Sequence, residues 1–287
     1  MDLIMQILEA AFKPLVLVFS VSNMFYMGLQ VKMPEVVAVV KNKKTLALIL
    51  VWGWVLGPAL AYLIAWVLPL SEPYVIGLLL YSLAPCAPFL PVMVGKARGD
   101  VNFAAAFIPI VAVATVVFMP LMAPLMIKGL TVSAGDLVKV LLIYILIPLA
   151  LGAAIRHYGE LVATKITPAV NVIAKISTVL ISTDFAVLYF QEMIATAGSF
   201  ALLSMTIHMV VIGWITYRFG FGLKQNQRSV MSLGMLTRNG SVVLIAAVAI
   251  PNVDPVLITY IVMYVLWSVV LAAIAARMFG KMAGETV

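Results

Sequence analysis

GMLTRNGSVV, residues 234–243, lies inside an apolar run and interrupts it with an arginine, an asparagine and a glycine. Asn-Gly is a strong local breaker pair. An arginine at the centre of a spanning helix costs about 2.5–3.5 kcal/mol on insertion scales. Both features make sense if the helix is broken at its middle. Backbone groups freed by such a break cannot face lipid; they must be buried in protein or line a cavity. The stretch is therefore expected to line a polar site within a membrane.

A second damaged run lies earlier in the chain. YSLAPCAPFLPVMVG, residues 81–95, carries Pro85, Pro88 and Pro91 at three-residue intervals. Proline removes a backbone donor and clashes with the preceding turn, so this segment should also unwind or kink. Counting outward from these two, nine runs are long and apolar enough to span a bilayer: residues 14–31, 45–68, 73–94, 101–127, 137–155, 168–190, 199–221, 229–250 and 255–279. The expected fold is an all-α polytopic membrane protein with nine transmembrane helices, of which spans 3 and 8 are broken crossing helices. These two are five spans apart and so run in opposite directions. Paired interrupted segments of this kind are the mark of inverted repeats in secondary transporters, here spans 1–4 and 6–9. The loops leave no room for a soluble domain. Residues 1–287 are expected to form a single transporter domain, with spans 1, 2, 5 and 6 panel-like and spans 3, 4, 7, 8 and 9 core-like.

The composition agrees. The chain is 64% hydrophobic and only 10% charged, against about 25% charged in soluble domains. The net charge of +7 does not point to nucleic acid, because the cations sit in short loops between apolar runs. Thirteen of the 18 basic residues fall in one set of loops, from Lys32, Lys41, Lys43 and Lys44 to Arg277 and Lys281, whereas Lys13, Lys128 and Lys139 fall in the other. By the positive-inside rule this predicts a cytoplasmic C-terminus and an outside N-terminus in an inner or plasma membrane. No signal peptide is evident, and Leu3, Ile4, Ile7, Leu8 and Ala11 share one face of a short helix expected to lie along the membrane surface. The single cysteine, Cys86, excludes an internal disulfide.

The ordered set FYMGLQVKMPE (25–35), KNKK (41–44), WVLGPALAYLIAW (54–66), KARGDVNFAAAF (96–107), FMPLMAPLM (118–126), a mid-helix His208 and GMLTRNGSVVLIAA (234–247) resembles the bile acid:sodium symporter family over nearly the whole chain. The resemblance implies a sodium-coupled carrier with two crossing helices. It also implies two ion sites built from hydroxyl, amide and carboxylate groups beside the crossing. This chain departs from that pattern. At the corresponding positions it has Pro88, Leu90 and Pro91, then Ala104 and Ile108, and Gly234 in place of an ion-binding glutamate; Arg238 replaces a glutamine, and Asn239 is retained. Hard cations need several oxygen ligands, so the usual sodium sites are expected to be missing at Leu90, Pro91, Ala104, Ile108 and Gly234.

The polar residues within the spans are the remaining candidates. Arg238 offers a protonated planar fork suited to carboxylates. It would hold an organic anion, stand where an ion stands in relatives, or pair with a buried acid. Asp184, the only acid inside a span, is the natural partner and also the candidate coupling residue, as a proton carrier. Lys175 can snorkel to the headgroups. His208 has no Cys, Asp or Glu at ligand spacing and reads as a hydrogen-bonded packing histidine. The expected substrate-binding set is Arg238, Asn239, Thr237, Gly240, Pro88, Asn23 and Ser268. Nucleophile–base sets, phosphate loops and metal spacings are not found, so an enzyme is not expected. The reading is a secondary transporter moving a small organic anion, a carboxylate or bile-acid-like solute, by alternating access, with no cofactor and with a proton as the possible coupling ion. The alternatives are a non-transporting binding or regulatory protein of the same fold and, because of Cys86 in the broken segment, a metalloid carrier.

Overall fold

The computed structural model describes residues 2–127, 132–197 and 199–284. In chain order the helices are α1 (Asp2–Gly28), α2 (Met33–Lys41), α3 (Lys43–Val51), α4 (Gly57–Val67), α5 (Glu72–Ser82), α6 (Leu90–Lys96), α7 (Val101–Met126), α8 (Ala134–Leu141), α9 (Ile147–Tyr158), α10 (Glu160–Leu188), α11 (Phe190–Ala197), α12 (Ala201–Arg218), α13 (Gln225–Leu236), α14 (Gly240–Val248) and α15 (Pro255–Gly284). A π turn at Trp52–Leu56 joins α3 to α4, and a second at Leu142–Leu146 joins α8 to α9. Pro58 and Pro148 each follow one of these turns. A proline lacks the N–H that an α turn needs there and its ring crowds the turn before it, which accounts for the widening.

Among the described residues seven helices are long and apolar enough to cross a membrane: Met5–Gly28, Lys43–Val67, Val101–Met126, Ala134–Tyr158, Glu160–Leu188, Ala201–Arg218 and Pro255–Gly284. The expectation of nine transmembrane helices is therefore corrected to seven. The two that fall out are the third and eighth apolar runs. There the chain leaves helical geometry and yields only short pieces, α5 and α6 of 11 and 7 residues, and α13 and α14 of 12 and 9. At about 1.5 Å per residue none of these reaches across a hydrocarbon core of about 30 Å. A second correction concerns the start of the chain. α1 continues unbroken through the expected surface segment and past an internal Pro14, so there is no separate surface helix; the side chains of Leu3 and Ile4 lie outside the described residues.

The surface fits a bilayer. Large apolar side chains such as Trp66, Leu125, Leu161 and Val179 are exposed along the long helices, where water would penalise them and lipid does not. The protein is an integral membrane protein. Most of the basic loops gather at one end. Lys32 donates to Asn102 (3.2 Å), the Lys44 ammonium lies over Gly222, and Lys96 and Arg98 lie against Gly280 and Gly284. On the opposite side Lys139 pairs with Asp136 (3.7 Å), while Lys128 lies outside the described residues.

Within the membrane, α1 packs against α9 and α10. Gly28 and Gly152 let the α1 and α9 backbones touch, because a Cβ on Gly28 would strike the Leu149 carbonyl and one on Gly152 the Phe25 carbonyl. Around the two broken segments, α4 packs on α5 and α12, α12 on α13, and α15 on α5, α13 and α14.

Candidate functional site

The two breaks meet. Residues 83–89 separate α5 from α6, residues 237–239 separate α13 from α14, and Pro85 and Arg238 form an antiparallel backbone bridge. The Cys86 amide donates to the carbonyls of Gly234 (2.8 Å) and Thr237 (2.9 Å), and the Asn239 amide donates to Ala84 (2.8 Å). The Ala87 amide donates to the Thr237 hydroxyl (3.2 Å), which itself donates to Leu233 (2.7 Å). Each break thus supplies partners for the backbone groups that the other has freed, which is the requirement for non-helical chain buried at membrane depth. Prolines at 85 and 88 remove two donors that would otherwise need partners. Cys86 takes a positive φ of 73°, a conformation that favours glycine and is held here by the pairing on either side.

The break around Arg238 is extended, so neighbouring side chains leave on opposite sides. Asn239 faces α1. Its amide nitrogen lies 3.9 Å from the Met24 sulfur, and its carbonyl oxygen caps α14 by accepting from Val242 (3.3 Å). Arg238 faces the other way and is 1% exposed. Its Nη1 donates to the Ser82 carbonyl, the last of α5 (3.1 Å). Its Nη2 would sit 3.5 Å from a Cβ on Gly57, so that glycine leaves room for the guanidinium. The Tyr264 hydroxyl stands beside it, yet Nε and Nη2 make no hydrogen bond of normal geometry among the described residues.

Arg238 and Asp184 do not pair, contrary to the natural pairing read from the sequence. The guanidinium points toward α4, α5 and α15, whereas Asp184 is on α10, which packs against α1 and α9. Asp184 is buried, and among the described residues neither carboxylate oxygen has a hydrogen-bond partner.

The other expected residues spread over several surroundings. Thr237 is buried within the paired breaks and Pro88 is half-buried at the turn before α6. Gly240 opens α14 where a Cβ would strike Val265 of α15. Asn23, on α1, donates to its own helix at Phe19 (2.8 Å) and reaches Thr178 of α10 (3.5 Å). Ser268 spends its hydroxyl on Val265 of its own helix (2.7 Å). Leu90, Ala104 and Ile108 are buried among apolar neighbours. A Cβ on Gly234 would collide with the Phe107 ring, so α7 fills the space that a longer side chain on α13 would need. Lys175 is exposed.

A network not read from the sequence stands behind Arg238. His208 Nε2 contacts the Gly57 carbonyl (3.1 Å) and Nδ1 contacts the Tyr264 hydroxyl (2.7 Å). A carbonyl only accepts, so Nε2 carries the proton and, in the neutral ring, Nδ1 accepts from Tyr264. One turn away Ser204 bonds Tyr260 (3.0 Å). Tyr81 stacks on Tyr264 with centroids 4.1 Å apart and donates to the Ile261 carbonyl. The signal was present: Ser204 and His208, and Tyr260 and Tyr264, are each four residues apart and so share a helix face.

A cavity of about 380 Å³ opens near the basic end between α1, α9 and α10 on one side and α6 and α7 on the other. Met27, Pro91, Ala104 and Ile108 give it apolar walls, with Lys32 and Arg156 among its lining residues. Arg156 also pairs with Glu160 (3.1 Å).

A model of the Sodium Bile acid symporter family matches residues 15–196, more than half of the chain. The chain belongs to that family. Comparison with curated proteins finds no match. The symporter-family match takes in the first break, residues 83–89, and ends before the second, so the likeness of GMLTRNGSVVLIAA rests on its own residues. Fold and family together make this symporter-family chain a secondary-transporter-type membrane protein and not an enzyme. Among its described residues no three His, Cys, Asp or Glu side chains group as metal ligands.

Proposed function

We propose that the protein carries a small organic anion across the bilayer by alternating access around the paired breaks. The observation that carries this reading is the antiparallel pairing of the two interrupted segments, because unwound backbone at membrane depth is where secondary transporters build their sites. The cavity beside α6 and α7 suits an anion with an apolar body. Its walls would take the body, and Lys32 and Arg156 the carboxylate or sulfonate. Arg238 adds a buried positive charge, and Asn239 presents its amide toward α1. The basic end is the cytoplasmic end in this reading.

Two bodies would move. α1, α9 and α10 pack together as one. The broken helices with α7, α12 and α15 form the other. Span 2, grouped with spans 1, 5 and 6 from the sequence, goes with the second body in this proposal, because α4 packs on α5 and α12. Sodium at the usual family positions is disfavoured by apolar Leu90, Ala104 and Ile108 and by the Phe107 ring against Gly234. Asp184 is the coupling candidate, as a proton carrier.

The test is uptake of sterol acids and small aromatic carboxylates by proteoliposomes. Saturable uptake with counterflow is expected, and K32Q/R156Q should raise KM about tenfold with kcat little changed, the signature of lost uniform binding. Saturable binding without flux under any gradient would refute the carrier.

A further inference from the structure

The C-terminal end of α5 is fully accounted for. A helix leaves its last four carbonyls without intrahelical partners, and together they carry about half a negative charge. Here the Leu79 carbonyl accepts from the Ser82 hydroxyl (2.6 Å), and Leu80 and Tyr81 accept from the amides of Leu83 (3.2 Å) and Ala84 (3.1 Å). The next carbonyls into the break, Leu83 and Ala84, accept from the Trp54 indole (3.1 Å) and the Asn239 amide (2.8 Å). Ser82 remains. The amide of Cys86, its partner in a continuing helix, turns away to Gly234 and Thr237. Among the described residues the group that donates to the Ser82 carbonyl is a full cation, the Arg238 guanidinium, contributed by the opposite break.

That arrangement is unusual in what it omits. The only ion pairs among the described residues are Asp136–Lys139 and Arg156–Glu160, both away from the break. A buried arginine is expensive unless something negative faces it. What faces it is a helix C-terminus and the oxygen of Tyr264, held in place because that hydroxyl donates to His208. Half-helix C-terminal ends and unwound carbonyls are where secondary transporters hold diffusible coupling cations.

We propose that Arg238 is a tethered cation. Its guanidinium permanently occupies the carbonyl end of α5, so that this half of the crossing takes no inorganic monovalent ion and the paired breaks carry a fixed positive charge throughout the transport cycle. This rests on the carrier reading above and gives that reading its charge balance: an anionic solute moves past a charge that does not leave.

The test separates charge from hydrogen bonding. R238Q keeps a donor that can reach Ser82 but removes the charge; R238K keeps the charge but loses the planar fork. Uptake should fall by about tenfold or more in R238Q and persist in R238K. Activity in R238Q with loss in R238K would overturn the proposal, since a fork contact to the solute itself would then be the better account. A second arm needs no transport. In purified R238G, low-millimolar guanidinium chloride or sodium chloride should raise the thermal midpoint saturably, with choline chloride inert, while the wild type responds to none of the three. An equal sodium response in wild type and R238G would sink the tethered cation. Should the variants not fold, radiolabelled sodium binding to the wild-type protein decides: saturable binding overturns the proposal, and its absence supports it. A failed carrier reading looks different, with the cation arm as expected and no flux in any variant.

Discussion

Arg238 and Asn239 are adjacent in the chain and serve opposite sides of the break, one reaching α5 and the other α1. Their types were legible in the sequence, and so was the cost of placing them in a membrane. Their directions were not, because direction depends on the extended geometry of three residues that a helical reading cannot supply. Gly234 shows a similar limit. Read alone it is an absent side chain; in the structure it is the contact that lets the Phe107 ring pack against α13. G234A should therefore destabilise by about 1–3 kcal/mol through overpacking. The pair is in direct contact, so F107L should recover part of that loss, and a thermal-denaturation double-mutant cycle in detergent should give a coupling of about 0.5 kcal/mol or more. Strict additivity would mean that the ring does not hold that space.

At the scale of elements, the two damaged runs were visible as three spaced prolines and an Asn-Gly pair; the chain is interrupted at Pro85, Pro88 and Asn239, while Pro91 and Gly240 fall in the first turns of the helices that follow. The number of spanning helices was misjudged for the same reason. An apolar run long enough to cross was counted as a helix long enough to cross, although the breaks leave α5, α6, α13 and α14 short. Nor could hydropathy reveal that one break repairs the other, since the partners are about 150 residues apart. Thr237 is the hinge of that repair, with its hydroxyl accepting from Ala87 and donating to Leu233. T237V keeps the shape and strands a buried amide, which should cost about 1–3 kcal/mol. T237S should cost much less, since it keeps the hydroxyl. Apparent midpoints of the three proteins in one detergent measure this, and equal loss in T237V and T237S would assign the effect to packing instead.

At the scale of the whole molecule, two charged side chains among the described residues are buried, Asp184 and Arg238, and they do not meet. Asp184 sits on α10, in the group with α1 and α9, and among the described residues neither of its oxygens has a hydrogen-bond partner. Arg238 sits among the broken helices. Had they been joined, removing either would strand the other, at about 3–5 kcal/mol. Because they are apart, D184N should leave stability unchanged or raise it, since it relieves an uncompensated carboxyl. Its functional consequence belongs to the proposed coupling. If Asp184 carries the proton, D184N should retain solute counterflow, which needs only the moving bodies, and lose accumulation driven by a pH gradient. A stability loss of several kcal/mol would reveal a hidden partner, and accumulation undiminished in D184N would take proton coupling away from this residue. In the proposed cycle the two charges would divide the work between the bodies: one stays fixed beside the break, and the other sits on the element that the break would move against.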